Sequence, residues 1–231
     1  AVCKGTGPLK LLISKKCNVN DRERAGFTPI IHACRTGRYE NVKILLENGA
    51  NPMLKPRPGQ CMCIHFACMK DTEDNLKIVE LLLKKKPELL NINGNGKKSP
   101  LHFAVLYNCP KIVEFLVRKG AKIDQKDKYT RTPLILACKY GYSKIVSYLL
   151  ECRASLKKYD NSLNSPLHYA CAFGNLECVK ILIEKGADVN HLNMWKNLPI
   201  EIALLKNHLG IVNYLINNDQ FLVDTHFGNG N

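Results

Sequence analysis

The chain has 231 residues, 45% hydrophobic and 23% charged, with 34 lysines and arginines against 20 aspartates and glutamates and a formal net charge of +14. That composition is too apolar for disorder, and no apolar run nears the ~20 residues of a membrane-spanning helix. Eleven cysteines, an odd number recurring at small-residue positions, point to a reducing intracellular compartment, cytoplasmic or nuclear, rather than to a disulfide framework.

Internal repetition sets the organisation. Ala33, Ala67, Ala104, Ala137, Ala170 and Ala203 recur in steps of 34, 37, 33, 33 and 33 residues. Val42, Val79, Val113, Val146, Val179 and Val212 recur in steps of 37, 34, 33, 33 and 33. Residues 1–25 form a partial unit, since Leu9-Lys10-Leu11-Leu12-Ile13 stands one period before the Val42 segment. Full repeats follow at 26–58, 59–95, 96–129, 130–162, 163–195 and 196–223, and 224–231 begins a further finger.

Each repeat carries the same signals in the same order. Thr28-Pro29, Ser99-Pro100, Thr132-Pro133 and Ser165-Pro166 predict a helix start, with a hydroxyl for an orphan N–H and proline where no N–H is needed. Gly37, Gly141 and Gly174, or Asn108 and Asn207 in their place, predict the left-handed residue that ends this short first helix. A second helix is predicted from triplets such as Val42/Leu45/Leu46, Val146/Leu149/Leu150 and Val179/Leu182/Ile183, whose spacing makes one apolar face. Gly49, Gly120 and Gly186 end it, and a polar stretch leads to the next repeat.

Three segments, Thr132-Pro133-Leu134-Ile135-Leu136-Ala137, Ser99-Pro100-Leu101-His102-Phe103-Ala104 and Ser165-Pro166-Leu167-His168-Tyr169-Ala170, resemble the T-P-L-H-x-A signature of the ankyrin repeat. Ile181–Asn190 resembles the ending of that family's second helix. The resemblance implies an all-α fold, an α-solenoid of stacked helix-turn-helix units with short β-hairpin fingers, each unit burying its apolar face on its neighbours. A shorter likeness, Trp195-Lys196 through Tyr214-Leu215, is to ankyrin units of some protist poly(ADP-ribose) polymerases. Leu9–Ile13 and Ile211–Ile216 read as interior helices, so the chain is expected to be an excerpt of a longer array. Irregularity is expected where Met62-Cys63 and Leu198-Pro199 replace the hydroxyl cap, around the insertion at Asp71-Thr72-Glu73-Asp74, and at Arg153, which stands where glycine is usual.

No constellation for chemistry emerges. Cys61, Cys63, His65 and Cys68 have metal-ligand residue types, but His65 falls on the motif histidine and Cys68 on a small packing position. His65, His102 and His168 recur with no serine, cysteine or carboxylate expected repeatedly beside them, so they read as structural. Gly94–Ser99 lacks a phosphate loop's first glycine, Asn91 standing there, and has Lys98 where Ser or Thr must follow the Gly-Lys pair. No catalytic residue, cofactor or metal is assigned.

What remains is surface. The resemblance implies binding along a concave face of finger tips and first helices. The position before the first-helix stop carries Tyr107, Tyr140, Phe173 and Lys206, and the one before that carries Lys139. Finger tips add Arg24, Phe27, Lys98, Tyr129, Arg131, Met194 and Trp195. Rigid aromatics with arginine are good interface anchors, and the positive charge favours an acidic protein segment over nucleic acid, whose motifs are missing. The expected function is a non-catalytic protein-interaction scaffold, monomeric as this piece. Alternatives are the targeting or regulatory arm of a larger enzyme and a basic adaptor for an anionic surface.

Overall fold

The repeat grammar becomes helix pairs. The computed structural model describes residues 5–56 and 61–217; the further finger expected at 224–231 lies outside them. Thirteen α-helices and no β-strand occur among the described residues, in two compact units, Ala1–Lys128 and Tyr129–Asn231.

In the first unit the helices are α1 (Thr6–Ser14), α2 (Pro29–Thr36), α3 (Tyr39–Glu47), α4 (Cys63–Ala67), α5 (Glu73–Lys85), α6 (Pro100–Leu106) and α7 (Pro110–Arg118). Helices α2, α4 and α6 pack in one row, α1, α3, α5 and α7 in a second, and each short helix packs on the one that follows it. The second unit repeats the scheme with α8 (Pro133–Tyr140), α9 (Ser143–Glu151), α10 (Pro166–Ala172), α11 (Leu176–Glu184), α12 (Pro199–Leu205) and α13 (Leu209–Asn217). There α8, α10 and α12 form one row and α9, α11 and α13 the other. Each unit is thus a solenoid stack of helix pairs.

The predicted valine–leucine triplets are the glue. Val42, Leu45, Val79, Leu82, Val113, Leu116, Val146, Leu149, Val179 and Leu182 are buried between rows. Full burial of one such side chain contributes about 1.5–3 kcal/mol. The motif alanines and the cysteines after them, Cys34, Cys68, Cys138 and Cys171, are buried too, because only small side chains let neighbouring first helices approach.

Caps follow the signals, with instructive exceptions. Ser99, Thr132 and Ser165 accept the N–H of His102, Ile135 and His168 at 3.3 Å. Thr28 makes no such bond, and its buried hydroxyl has no partner. Irregularity is concentrated in the second full repeat, where α4 has five residues and α5 thirteen, and a 3-10 turn covers Pro87–Asn91. The sixth is regular, because Glu201 accepts the Leu198 N–H at 2.7 Å and supplies half of the lost cap.

Four of the described fingers are tight turns closed by a pair of backbone bonds rather than a strand ladder: Glu23 N–H to Phe27 O with Gly26 N–H to Glu23 O, and likewise Gly94 with Lys98, Asp160 with Asn164 and Asn193 with Asn197. Among the described residues, this turn position is left-handed in five fingers. It is glycine once, Gly26, and otherwise Lys97, Thr130, Leu163 or Lys196, with φ between 56° and 59°. Side-chain oxygens hold the turns. Asp160 accepts the Ser162 and Asn164 N–H groups, and Asn193 accepts those of Trp195 and Asn197.

Candidate protein-binding surface

In the second unit, several of the predicted surface residues come together. Tyr140 ends α8, and the next residue, Gly141, turns the chain at φ 73°. A Cβ on Gly141 would stand 2.6 Å from Asn175 Oδ1, while the Asn175 amide donates to the carbonyls of Cys138 and Lys139 at 2.8 and 3.0 Å. This clasp holds the end of α8 against the loop that follows Phe173, and so fixes Lys139, Tyr140 and Phe173 relative to one another. The Lys139 ammonium lies 5.5 Å from the Tyr140 ring centroid and 5.1 Å from that of Phe173, within the range of attraction to a ring face. Tyr140 and Phe173 remain about half exposed, at 45% and 50%.

The strip continues toward the finger. Phe173 stacks on Tyr169, four residues earlier on α10, at 6.3 Å and 5°. The Tyr169 hydroxyl donates to Asp160 at 2.8 Å and accepts from Arg131, and Arg131 lies 4.7 Å over the Tyr129 ring. Burial, then the Asp160 carboxylate, pushes the Tyr169 phenol well above its ordinary range. Burial, then the nearby Arg131, pulls Lys139 below the usual lysine value. No carboxylate pairs with Lys139 among the described residues. The strip is therefore a run of half-exposed rings carrying two cations, one of them without an anion.

Other predicted residues stand apart from it. Met194 and Trp195 are exposed on their finger, at 56% and 61%, and Lys206 is exposed at the end of α12. In the first unit, Tyr107 is half exposed and stacks on buried Phe103 at 6.5 Å. Phe27 turns partly inward, edge-on to His32 and Phe66 at 5.7 and 5.9 Å. Arg24 is exposed and Lys98 half-buried. Sequence reading missed Tyr169, Asp160 and Asn175. The recurrence of aromatics four apart on first helices, Phe103/Tyr107 and Tyr169/Phe173, was the available signal for Tyr169.

The motif histidines and the cysteines near His65 are spoken for. Contrary to expectation, a serine does recur beside the motif histidine: Ser99 Oγ and Ser165 Oγ lie 2.8 Å from Nδ1 of His102 and His168. Both serines are buried caps, and each Nδ1 also faces the serine's own N–H at 3.2 Å. His65 and His168 face a backbone N–H with Nδ1 and the carbonyl of Ile92 or Asn197 with Nε2, both at 3.1 Å. That arrangement requires the neutral ring with its proton on Nε2. Burial accordingly lowers His65 to about 4 and moves His168 downward. Cys63 donates to Pro52 O, Cys68 is buried, and Cys61 takes a hydrogen bond at the Asn95 backbone. Among the described residues no group of three or more His, Cys, Asp or Glu could hold a metal ion, and no helix is long and apolar enough to cross a membrane.

Comparison with known proteins agrees with the helix pairs. A family described as ankyrin repeats (3 copies) matches residues 57–127, 124–193 and 157–226, and one described as ankyrin repeats (many copies) matches 12–67. The chain is 30% identical over 122 residues to human transient receptor potential cation channel subfamily A member 1, covering 51% of this chain and 11% of that protein. It is 31% identical over 124 residues to the Drosophila melanogaster transient receptor potential channel pyrexia, 54% of this chain and 12% of the channel. It is 29% identical over 102 residues to the Legionella pneumophila phosphocholine transferase AnkX, 44% of this chain and 10% of the transferase. The chain thus spans about a tenth of the length of these relatives. These comparisons support the repeat family and do not carry the finer likeness to poly(ADP-ribose) polymerases. From helix pairs, caps and matched profiles alike, the chain belongs to the ankyrin repeat family, whose repeats generally mediate protein–protein interaction.

Proposed function

We propose that the protein is a non-catalytic interaction module, acting as a monomer, whose second unit receives an acidic segment of a partner protein on the strip of Tyr129, Arg131, Lys139, Tyr140 and Phe173. The observation that carries this reading is the Lys139 ammonium wedged between two half-exposed rings with no carboxylate beside it among the described residues. A partner carboxylate would complete the ion pair, and apolar side chains next to it would cover Tyr140 and Phe173. Rigid rings lose little entropy on binding, and the net charge of +14 would speed encounter with an acidic partner. Lys206, Lys98 and Arg24 would steer rather than anchor. Packed, uncharged thiols favour a reducing, intracellular site for the module.

A second reading makes the module the targeting arm of a larger enzyme. It is favoured only by the small share of relatives such as the phosphocholine transferase that the matched stretch represents. The test of the first reading is a peptide-display selection against the purified chain, counter-selected on Lys139→Glu. Acid-rich peptides that lose at least about tenfold in affinity on the variant are expected. Peptides without acidic residues, or indifferent to the variant, would overturn it.

A further inference from the structure

The finger tips of the second unit carry a surface that the acidic-segment reading does not use. Leu163 sits at the left-handed position of its finger with φ 59° and is 48% exposed. Glycine would relieve both the backbone strain and the apolar exposure there. The left-handed turn belongs to the repeat, recurring at Lys97, Thr130 and Lys196, but a bulky apolar residue held at it is unusual. On the next finger Leu192, Met194 and Trp195 are 41%, 56% and 61% exposed. The Trp195 indole makes no ring contact or hydrogen bond among the described residues.

The two fingers form one rigid element. Met194 N–H donates to Ser162 O at 3.0 Å, the Asn193 amide to Asn164 Oδ1 at 3.0 Å, and His191 Nε2 meets Leu163 O at 2.9 Å. His191 also stacks on Tyr159 at 4.0 Å. Four apolar side chains are therefore presented from turn tips. The nearby cavity, about 90 Å³ and lined by residues such as Tyr159, Pro166 and His191, includes none of them.

Charge supplies the second half. Lys157 and Lys196 are exposed on the same fingers and Lys158 half-buried. Of the acidic residues there, Asp160 is occupied by the Tyr169 hydroxyl, the Asn164 amide and two backbone N–H groups, and Asp188 is exposed. The balance is positive. A second copy of the chain would set Lys196 and Lys157 against their own equals in a molecule of charge +14. A soft anionic surface has no such conflict. It admits projecting apolar tips to a depth of about 5–10 Å, favours tryptophan at its headgroup level, and attracts flanking lysines.

We infer that the finger tips bearing Leu163, Leu192, Met194 and Trp195 insert into the headgroup region of an anionic lipid bilayer, with Lys157 and Lys196 on the lipid phosphates and carboxylates. Trp195, the one tryptophan in the sequence, is a built-in reporter. The chain would be titrated with phosphatidylcholine vesicles containing about 30 mol% phosphatidylserine, and with phosphatidylcholine alone, while Trp195 emission is recorded. A blue shift is expected with the anionic vesicles, together with its reversal when salt is raised from about 0.1 to about 1 M and the Debye length falls to roughly 3 Å. The variant Leu163→Gly with Met194→Ser keeps the reporter and relieves the strained turn, and it should partition at least about tenfold more weakly. Unchanged Trp195 emission at saturating anionic lipid would overturn the inference. So would a double variant that binds as tightly as the parent, because charge alone would then account for the attraction.

Discussion

The Lys139 ammonium stands 5.1 Å from the centre of the Phe173 ring, a residue one repeat further along the chain. This contact joins α8 to the end of α10 on the proposed binding face. A double-mutant cycle with Lys139→Met and Phe173→Leu should give a coupling of about 0.5–1 kcal/mol, read from denaturant midpoints. A coupling of zero would mean that the two side chains do not interact in solution.

The fingers make a backbone prediction. Leu163 and Lys196 occupy left-handed positions with φ of 59° each, where an L-residue is disfavoured by roughly 1–2 kcal/mol and glycine is not. Part of that gain is offset by the extra freedom glycine has when unfolded. Leu163→Gly and Lys196→Gly should therefore each raise stability by about 0.5–1 kcal/mol, seen as a higher urea midpoint at unchanged slope.

Gly141 behaves in the opposite sense. Its φ is 73°, and an added Cβ would meet Asn175 Oδ1 at 2.6 Å. Gly141→Ala combines left-handed strain with displacement of the Asn175 clasp and should cost about 1–3 kcal/mol. Wild-type stability in this variant, measured by thermal unfolding, would show that the clasp does not constrain the loop.

Acid should destabilise the first unit through His65, whose folded pKa is lowered to about 4 by burial. A base with a lower pKa in the folded state binds its proton more readily when unfolded. Stability is therefore full above pH about 6.5 and falls as pH drops toward 4. The loss attributable to this ring is on the order of 3 kcal/mol, and in the second unit His168, also lowered by burial, acts in the same direction. His65→Gln should flatten the profile between these limits while lowering its plateau.

The cysteines divide by burial. Cys34, Cys63, Cys68, Cys109, Cys138, Cys171 and Cys178 are buried, whereas Cys17 is exposed and Cys61 and Cys152 half-buried. Burial pushes Cys109 and Cys171 up to about 12 and Cys178 up to about 11. In a reaction with an aromatic disulfide at pH 8, Cys17 should react at once and the seven buried thiols only after unfolding. Mass mapping of the modified sites distinguishes these groups.

Much of this architecture was legible because each repeat states its own boundaries. Hydroxyl–proline starts, glycine or asparagine stops and the valine–leucine triplet are local signals that survive into Ser165, Gly174 and Val179 as built. Legibility stopped where the determinant lies in another repeat. Asn175 reaching back to Cys138 and Asp160 holding Tyr169 are side-chain contacts that no window of one helix reveals. Phe27 shows the same limit: its finger position suggested exposure, but Phe66 in the following repeat draws the ring partly inward. The serine–histidine pairs lie hidden in the cap signal itself, since Ser99 and Ser165 three residues before His102 and His168 read as helix starts.

The strip around Lys139 is where the proposed partner is held. Its most direct test is amide and side-chain chemical-shift mapping of the labelled chain with an acidic peptide from the display selection. Perturbations confined to Tyr129, Arg131, Lys139, Tyr140, Phe173 and their immediate neighbours, and abolished by Lys139→Glu, are the predicted result. Perturbations lying elsewhere, with that strip silent, would contradict it.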